Sequence, residues 1–222
     1  MIIPLNVEEE SEEESEDDNR HDISHYRDIV SEDLLNSLKI SEGLSATRTR
    51  PPGRPALTAY LDNENVWTIG WGHADTSGRE PIPSRGMQIG EQRAEEILED
   101  DIQHFREAVA DSDIYRDSSD NDREARLTQH EFDALVSASF NAGVAGIGNH
   151  RDGTNGNRSI GRQILDGVHL NPDSDEYADF QNLFINARIG NNDGVRNRRQ
   201  REWDMFSEEN YHLTDDIELP ED

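Results

Sequence analysis

The chain has 222 residues, enough for one domain of ordinary size or two small ones, and its 32% hydrophobic residues suffice for a single core. Its 49 acidic against 21 basic residues leave a net charge of −28. That argues against a nucleic-acid partner, because phosphate binding needs a basic surface. No apolar run approaches the roughly 18 residues of a membrane span, so no stable membrane insertion is expected. "MIIPLNV" leads into acid and not into a signal-peptide pattern, and the lack of Cys fits folding in a reducing cytoplasm.

In chain order, residues 1–18 carry nine acids and no base, and residues 204–222 eight acids and no base. Both ends are poor in apolar residues and repel themselves, so 1–30 and 208–222 are expected to be disordered tails around a folded unit at 31–207. Lys39 is the only Lys beside 20 Arg. So much acid with so little Lys suggests a halophilic setting, where a Debye length of about 3 Å at 1 M salt screens self-repulsion.

Ser31, followed by Glu32 and Asp33, reads as a helix cap, and Leu34, Leu35 and Leu38 follow at helical spacing. Glu42 falls at the end of that apolar stripe, where an ionised carboxyl is costly, and Gly43 is placed to stop the helix. A helix-end Glu in water is the simpler alternative. From 57 to 70 the period changes: "LTAYL" and "VWTIGW" are strand-like and "DNEN" between them is turn chemistry, which predicts a hairpin. With Asn65 at the tip, Asp62 lies opposite Thr68 and Tyr60 opposite Gly70, their Cβ atoms about 5 Å apart. A carboxylate and a hydroxyl so placed could hold one water. A turn Asp serving backbone amides, beside an ordinary strand Thr, is the alternative.

Further on, "GEQRAEEILEDDIQHFREAVADS" at 90–112 lines up Ala94, Ile97, Leu98, Ile102, Phe105 and Val109 as a long amphipathic helix. "DNDREARLTQHE" at 120–131 has acids at four calcium-loop positions but Ala125 where that loop needs Gly, and the His residues lack metal-ligand spacing, so no metal or other cofactor is expected. "GNHRDGTNGNRS" at 148–159 is rich in Gly and Asn and is expected to be a mobile loop.

"LKISEGL" followed by "AYLDNENVWTIGWGH" closely resembles the phage-type lysozymes of glycoside hydrolase family twenty-four. "LTQHEFDALVSASFNAG" at 127–143 resembles that family's buried helix, and "GVRNRRQREWDMF" at 194–206 its closing helix. The resemblance implies an α+β, mainly helical fold, with a small antiparallel sheet lobe and a larger helical lobe joined by the 90–112 helix. It also implies a catalytic set of Glu42, Asp62 and Thr68, the last two separated by the family's five residues. His73 corresponds to a structural His that pairs with an acid of the other lobe. Asn141 resembles a cleft-lining amide for an acetamido sugar, a helix cap being the alternative.

Two features are less regular. Nineteen residues separate Glu42 from Asp62, where the family usually has eight, so 45–56 reads as an insertion of about eleven residues. Its three Arg and three Pro make it stiff and basic, and Arg48 and Arg50 are candidates to contact anionic parts of a wall polymer, against a merely tolerated surface insertion. Arg196, Arg198, Arg199 and Arg201 crowd the last helix. One of them, which the residues alone do not single out, is expected to orient Glu42; Arg198 is expected to be structural near the site, and salt bridges to the acidic tails are the alternative for the cluster.

The resemblance implies a monomeric peptidoglycan hydrolase, most simply a phage endolysin made in the host cytoplasm and released to the wall through a membrane lesion made by another protein. Glycosidic cleavage needs one carboxylic acid to protonate the leaving oxygen and one carboxylate to handle water on the opposite face. Glu42 suits the first task, and Asp62 with Thr68 the second, with inversion at the anomeric carbon. A secreted or virion-associated bacteriolytic effector and a catalytically silent wall-binding module are the rival readings.

Overall fold

The computed structural model describes residues 19–29, 31–45, 54–62, 64–74, 77–151, 158–190 and 193–213, the side chains of 43–45 excepted. Helix α1 (Glu32–Ser45) opens where the Ser31 hydroxyl accepts the Leu34 amide at 3.2 Å, an N-cap bond. Its inner face buries Leu34 and Leu38. The helix does not stop at Gly43 as expected but runs on to Ser45.

Strands β2 (Ala56–Leu61), β3 (Trp67–Gly70) and β4 (His73–Ala74) form an antiparallel sheet in the order β2-β3-β4. The hairpin exists, but its register differs from the expected one. Tyr60 faces Thr68 and Leu61 faces Trp67, and an irregularity then brings Ala56 opposite Gly70. The cause is the turn. The Asp62 amide donates to the Val66 carbonyl at 3.0 Å, which closes the turn between those two residues, and Asn65 adopts the left-handed φ of 63° that such a tight reversal needs. A slip of two residues preserves the face, so Asp62 is a diagonal neighbour of Thr68 on one side of the sheet and not its direct partner.

Helix α2 (Glu91–Ala110) spans about 30 Å at 1.5 Å per residue. Ala94, Ile97, Leu98, Ile102 and Val109 are buried along it, and it touches all three strands of the sheet as well as the helices beyond. It therefore joins the small sheet to the helical body. Two short ladders follow: β5 (Arg116–Asp117) with β6 (Arg123–Glu124), and β1 (His21–Asp22) with β7 (Arg126–Leu127). The stretch with calcium-loop spacing is thus a turn and strand pairs, with Ala125 2% exposed in the core.

Helix α3 (Gln129–Ala142) starts with a reciprocal capping box between Thr128 and Glu131 and places Phe132, Ala134, Leu135, Val136 and Ala138 at zero exposure. Around it lie α4 (Val144–Gly148), α5 (Ile160–Leu165), α6 (Asp175–Ile185) and α7 (Asp193–Glu208). Trp203 of α7 meets Phe180 and Phe184 of α6 edge-on, with ring centroids 5.6 Å apart in both pairs, a geometry favoured by aromatic quadrupoles. Within the expected 148–159 loop, Gly148 closes α4 and Ser159 caps α5 by accepting the Arg162 amide, while 152–157 lie outside the described residues.

The folded body begins earlier and ends later than the charge pattern implied. Residues 23–28 form a 3-10 helix whose Ile23 and Tyr26 are in the core. Arg20 pairs with Glu131, and the Tyr26 hydroxyl donates to the Leu127 carbonyl at 2.6 Å. At the other end Tyr211 is buried, and its hydroxyl donates to Asp133 at 2.9 Å. Asp133 also pairs with the fully buried Arg106, which in turn donates to the Tyr26 carbonyl. Ile23 and Tyr26 at one end and Tyr211 at the other outweigh the local excess of acid, because burying a large apolar side chain is worth roughly 1.5–3 kcal/mol.

Candidate active site

Glu42 sits in the last turn of α1 against the β3–β4 turn. Its carboxyl is mostly covered, with a side-chain exposure of 15%. A Cβ on Gly72 would lie 3.3 Å from Glu42 Oε2, and Gly72 holds a φ of +98°, so the site depends on a residue without a side chain there. The other oxygen, Oε1, accepts from Arg198 Nη1 of α7 at 2.7 Å. At the end of the stripe that buries Leu34 and Leu38, the carboxyl therefore meets a guanidinium and not apolar cover alone. The stripe ends at Leu38, and α7 brings a guanidinium to the next turn.

Asp62 and Thr68 come from the hairpin. Asp62 Oδ1 accepts the amides of Glu64 at 2.8 Å and Val66 at 2.9 Å. The turn role is thus occupied in fact, by one of the two carboxylate oxygens. Thr68 is 4% exposed, and its hydroxyl donates to the Val66 carbonyl at 3.3 Å. By the register, Asp62 and Thr68 are diagonal neighbours on one face of the sheet.

His73, on β4, is buried at 3% exposure and tethers the sheet to α2. Nδ1 lies 2.9 Å from Asp101 Oδ2, while Nε2 faces the carbonyls of Arg79 at 3.2 Å and Pro81 at 3.1 Å. Acceptors at both nitrogens favour the doubly protonated ring, in which both nitrogens donate. Burial works against the charge, but the Asp101 hydrogen bond and charge, aided by the two carbonyls, prevail and raise its pKa above the ordinary histidine value. Arg79 Nη2 also pairs with Asp101, at 2.8 Å.

Asn141 lies exposed near the end of α3, and its Oδ1 accepts from Arg199 Nη2 at 2.7 Å. Arg199 is fully buried; burial first, and then the Arg198 charge, lower its pKa to about 9, which leaves it cationic at neutral pH. Both Arg198 and Arg199 pair with Glu202. Among the described residues, Arg196 donates to Asn186, and Arg198 and Arg199 bind Glu42 and Asn141; residues 1–18 and 214–222 of the acidic ends lie outside the described residues.

A model of the phage lysozyme family matches residues 55–202, well over half of the chain. The chain belongs to the phage lysozyme family. Of its relatives, the endolysin of Bacillus phage B103 is 32% identical over 118 residues, 53% of this chain and 36% of that protein. The endolysin of Salmonella phage P22 is 32% identical over 97 residues, 44% of this chain and 59% of that protein. The chain thus matches less than two thirds of the length of these curated relatives. Among solved structures, the endolysin from Escherichia coli O157:H7 phage FAHEc1 has a TM-score of 0.54 at 25% identity, covering 81% of this chain and 93% of that one. The α+β fold with its small antiparallel sheet is that of the phage lysozymes.

The phage lysozyme match begins at residue 55, at the end of the 45–56 insertion, and so contains Asp62, Thr68, His73, Asn141 and Arg198, but not Glu42. Arg48 and Arg50 lie outside the described residues; of the insertion's arginines, Arg54 reaches Glu91 of α2 at 3.3 Å in an exposed pair. The sequence reading missed Glu202, Asp101 and Gly72. The first could have been found from spacing alone, since Glu202 lies three and four residues after Arg199 and Arg198 on one helix.

Proposed function

We propose that this phage lysozyme is an inverting muramidase, which hydrolyses the β-1,4 bond between N-acetylmuramic acid and N-acetylglucosamine in bacterial peptidoglycan. The observation that carries it is the Glu42 carboxyl held by Arg198 against the turn of the sheet whose hairpin bears Asp62 and Thr68. Glu42 is the general acid that protonates the leaving glycosidic oxygen. Asp62, with one oxygen committed to the turn, uses the other to orient and deprotonate a water that Thr68 helps to hold. The water attacks the anomeric carbon from the face opposite the departing sugar, so one displacement inverts its configuration. No step calls for a metal or other cofactor. Asn141, its oxygen engaged by Arg199, presents its amide NH2 to an acetamido carbonyl of the substrate.

The biological setting completes the proposal. Among the described residues no helix is long and apolar enough to cross a membrane, and the relatives are endolysins. The enzyme acts as a monomeric endolysin, made in the host cytoplasm and reaching the wall through a lesion supplied by another protein. Purified peptidoglycan incubated with the wild type and with Glu42→Gln tests the catalytic part. The wild type is expected to release reducing ends and Glu42→Gln to lose on the order of 10²- to 10⁴-fold in rate, the usual worth of a positioned general acid. Equal rates would remove Glu42 from the mechanism.

A further inference from the structure

Behind Glu42 lies a carboxylate with no access to substrate. Glu202 is 2% exposed, on the inner side of α7. Its Oε1 accepts from Ser137 Oγ of α3 at 3.1 Å and from Arg198 Nε at 3.3 Å, and its Oε2 pairs with Arg199 Nη1. Arg198 is thus gripped at two points of one planar guanidinium, Nε by Glu202 and Nη1 by Glu42. An arginine side chain has several freely rotating bonds, so a contact to Glu42 alone would leave its plane free to swing. A second anchor on the same guanidinium fixes it. Glu202 also places a negative charge between the two cations at 198 and 199.

We propose that Glu202 is a positioning residue of the active site, which holds Arg198 in the one plane that aims the Glu42 carboxyl. Ser137 plays a supporting part by fixing Glu202 from α3. The inference rests on the function proposed above, in that it concerns the residue named there as general acid. It does not depend on which wall polymer is cleaved.

The test is a pair of measurements on the full-length protein. The first is kcat and KM on soluble peptidoglycan fragments for the wild type, Glu202→Gln, Arg198→Leu and the double variant, with thermal unfolding of each as a check on folding. Glu202→Gln is expected to lower kcat on the order of 10²-fold, the cost of misplacing a catalytic group by about 1 Å, with KM within about twofold of wild type. In the Arg198→Leu background the same change is expected to cost almost nothing, because a residue acting through another is non-additive with it. An unchanged kcat in Glu202→Gln, or an equal loss in both backgrounds, overturns the proposal. If Glu202→Gln fails to fold, Ser137→Ala takes its place. A severalfold fall in kcat that vanishes in the Arg198→Leu background supports the proposal, and an unchanged kcat overturns it. The second measurement needs no turnover: solvent exchange of the Arg198 Nε–H followed by NMR. Exchange slow in the wild type and faster in Glu202→Gln, or in Ser137→Ala, is expected, and equal exchange overturns the proposal. A wild type that releases no reducing ends would sink the muramidase reading, while the exchange result would still decide the role of Glu202.

Discussion

Asp62 does two jobs with one carboxylate, and the two can be separated chemically. An Asn at 62 keeps an Oδ1 for the amides of Glu64 and Val66 but has no negative charge to offer a water. Asp62→Asn is expected to retain stability within about 1 kcal/mol and to lose on the order of 10²-fold or more in kcat. Chemical denaturation and reducing-end release measure the two, and a stable, fully active variant would leave Asp62 as a turn residue only. Gly72 makes the complementary case. An Ala there must adopt a left-handed φ and place its Cβ 3.3 Å from Glu42 Oε2, so Gly72→Ala is expected to lower kcat at least tenfold and to cost about 1–3 kcal/mol of stability. Of these two residues only the first was legible in the sequence. The Asp-x5-Thr spacing marks Asp62, but the need for glycine at 72 arises from a carboxyl thirty positions earlier, which no local pattern reports.

At the scale of elements, the attachment of the sheet to α2 depends on the buried His73–Asp101 contact. Because the folded His73 has a raised pKa, its stabilising contribution is complete below the unfolded value of about 6.5 and is lost as pH rises through the folded value. His73→Gln should therefore be destabilising by about 1–3 kcal/mol near pH 5.5, with a smaller gap above pH 8. Urea midpoints at the two pH values measure this, and a gap that widened at high pH would contradict an imidazolium. The long helices were readable because their apolar residues recur on one face, as Ala94, Ile97, Leu98, Ile102 and Val109 do on α2. The hairpin was readable in kind but not in register, since pairing is set by which residues close the turn. Asp62 and Val66 close it through a backbone bond that composition does not encode.

For the whole molecule, charge proved a poor guide to where the fold ends. Tyr26 at one end and Tyr211 at the other are held through the buried Arg106–Asp133 pair, and Ile23 is buried as well, inside segments the sequence assigned to disordered tails. Deleting the chain through residue 30 is therefore expected to cost more than about 3 kcal/mol, the worth of two large apolar side chains, and urea denaturation of the truncated protein checks it. The net charge of −28 has its own consequence. An acidic enzyme and an anionic wall repel at low ionic strength and are screened from each other at high, so wall-clearing activity should rise with salt. An optimum below about 0.1 M would contradict a halophilic setting. The most direct test of the catalytic geometry is the anomeric configuration of freshly released reducing ends, followed by NMR before mutarotation. A single displacement with Glu42 as acid and Asp62 directing water converts the β bond into an α product. A β product would mean retention through a second displacement and would contradict the roles assigned to both carboxylates.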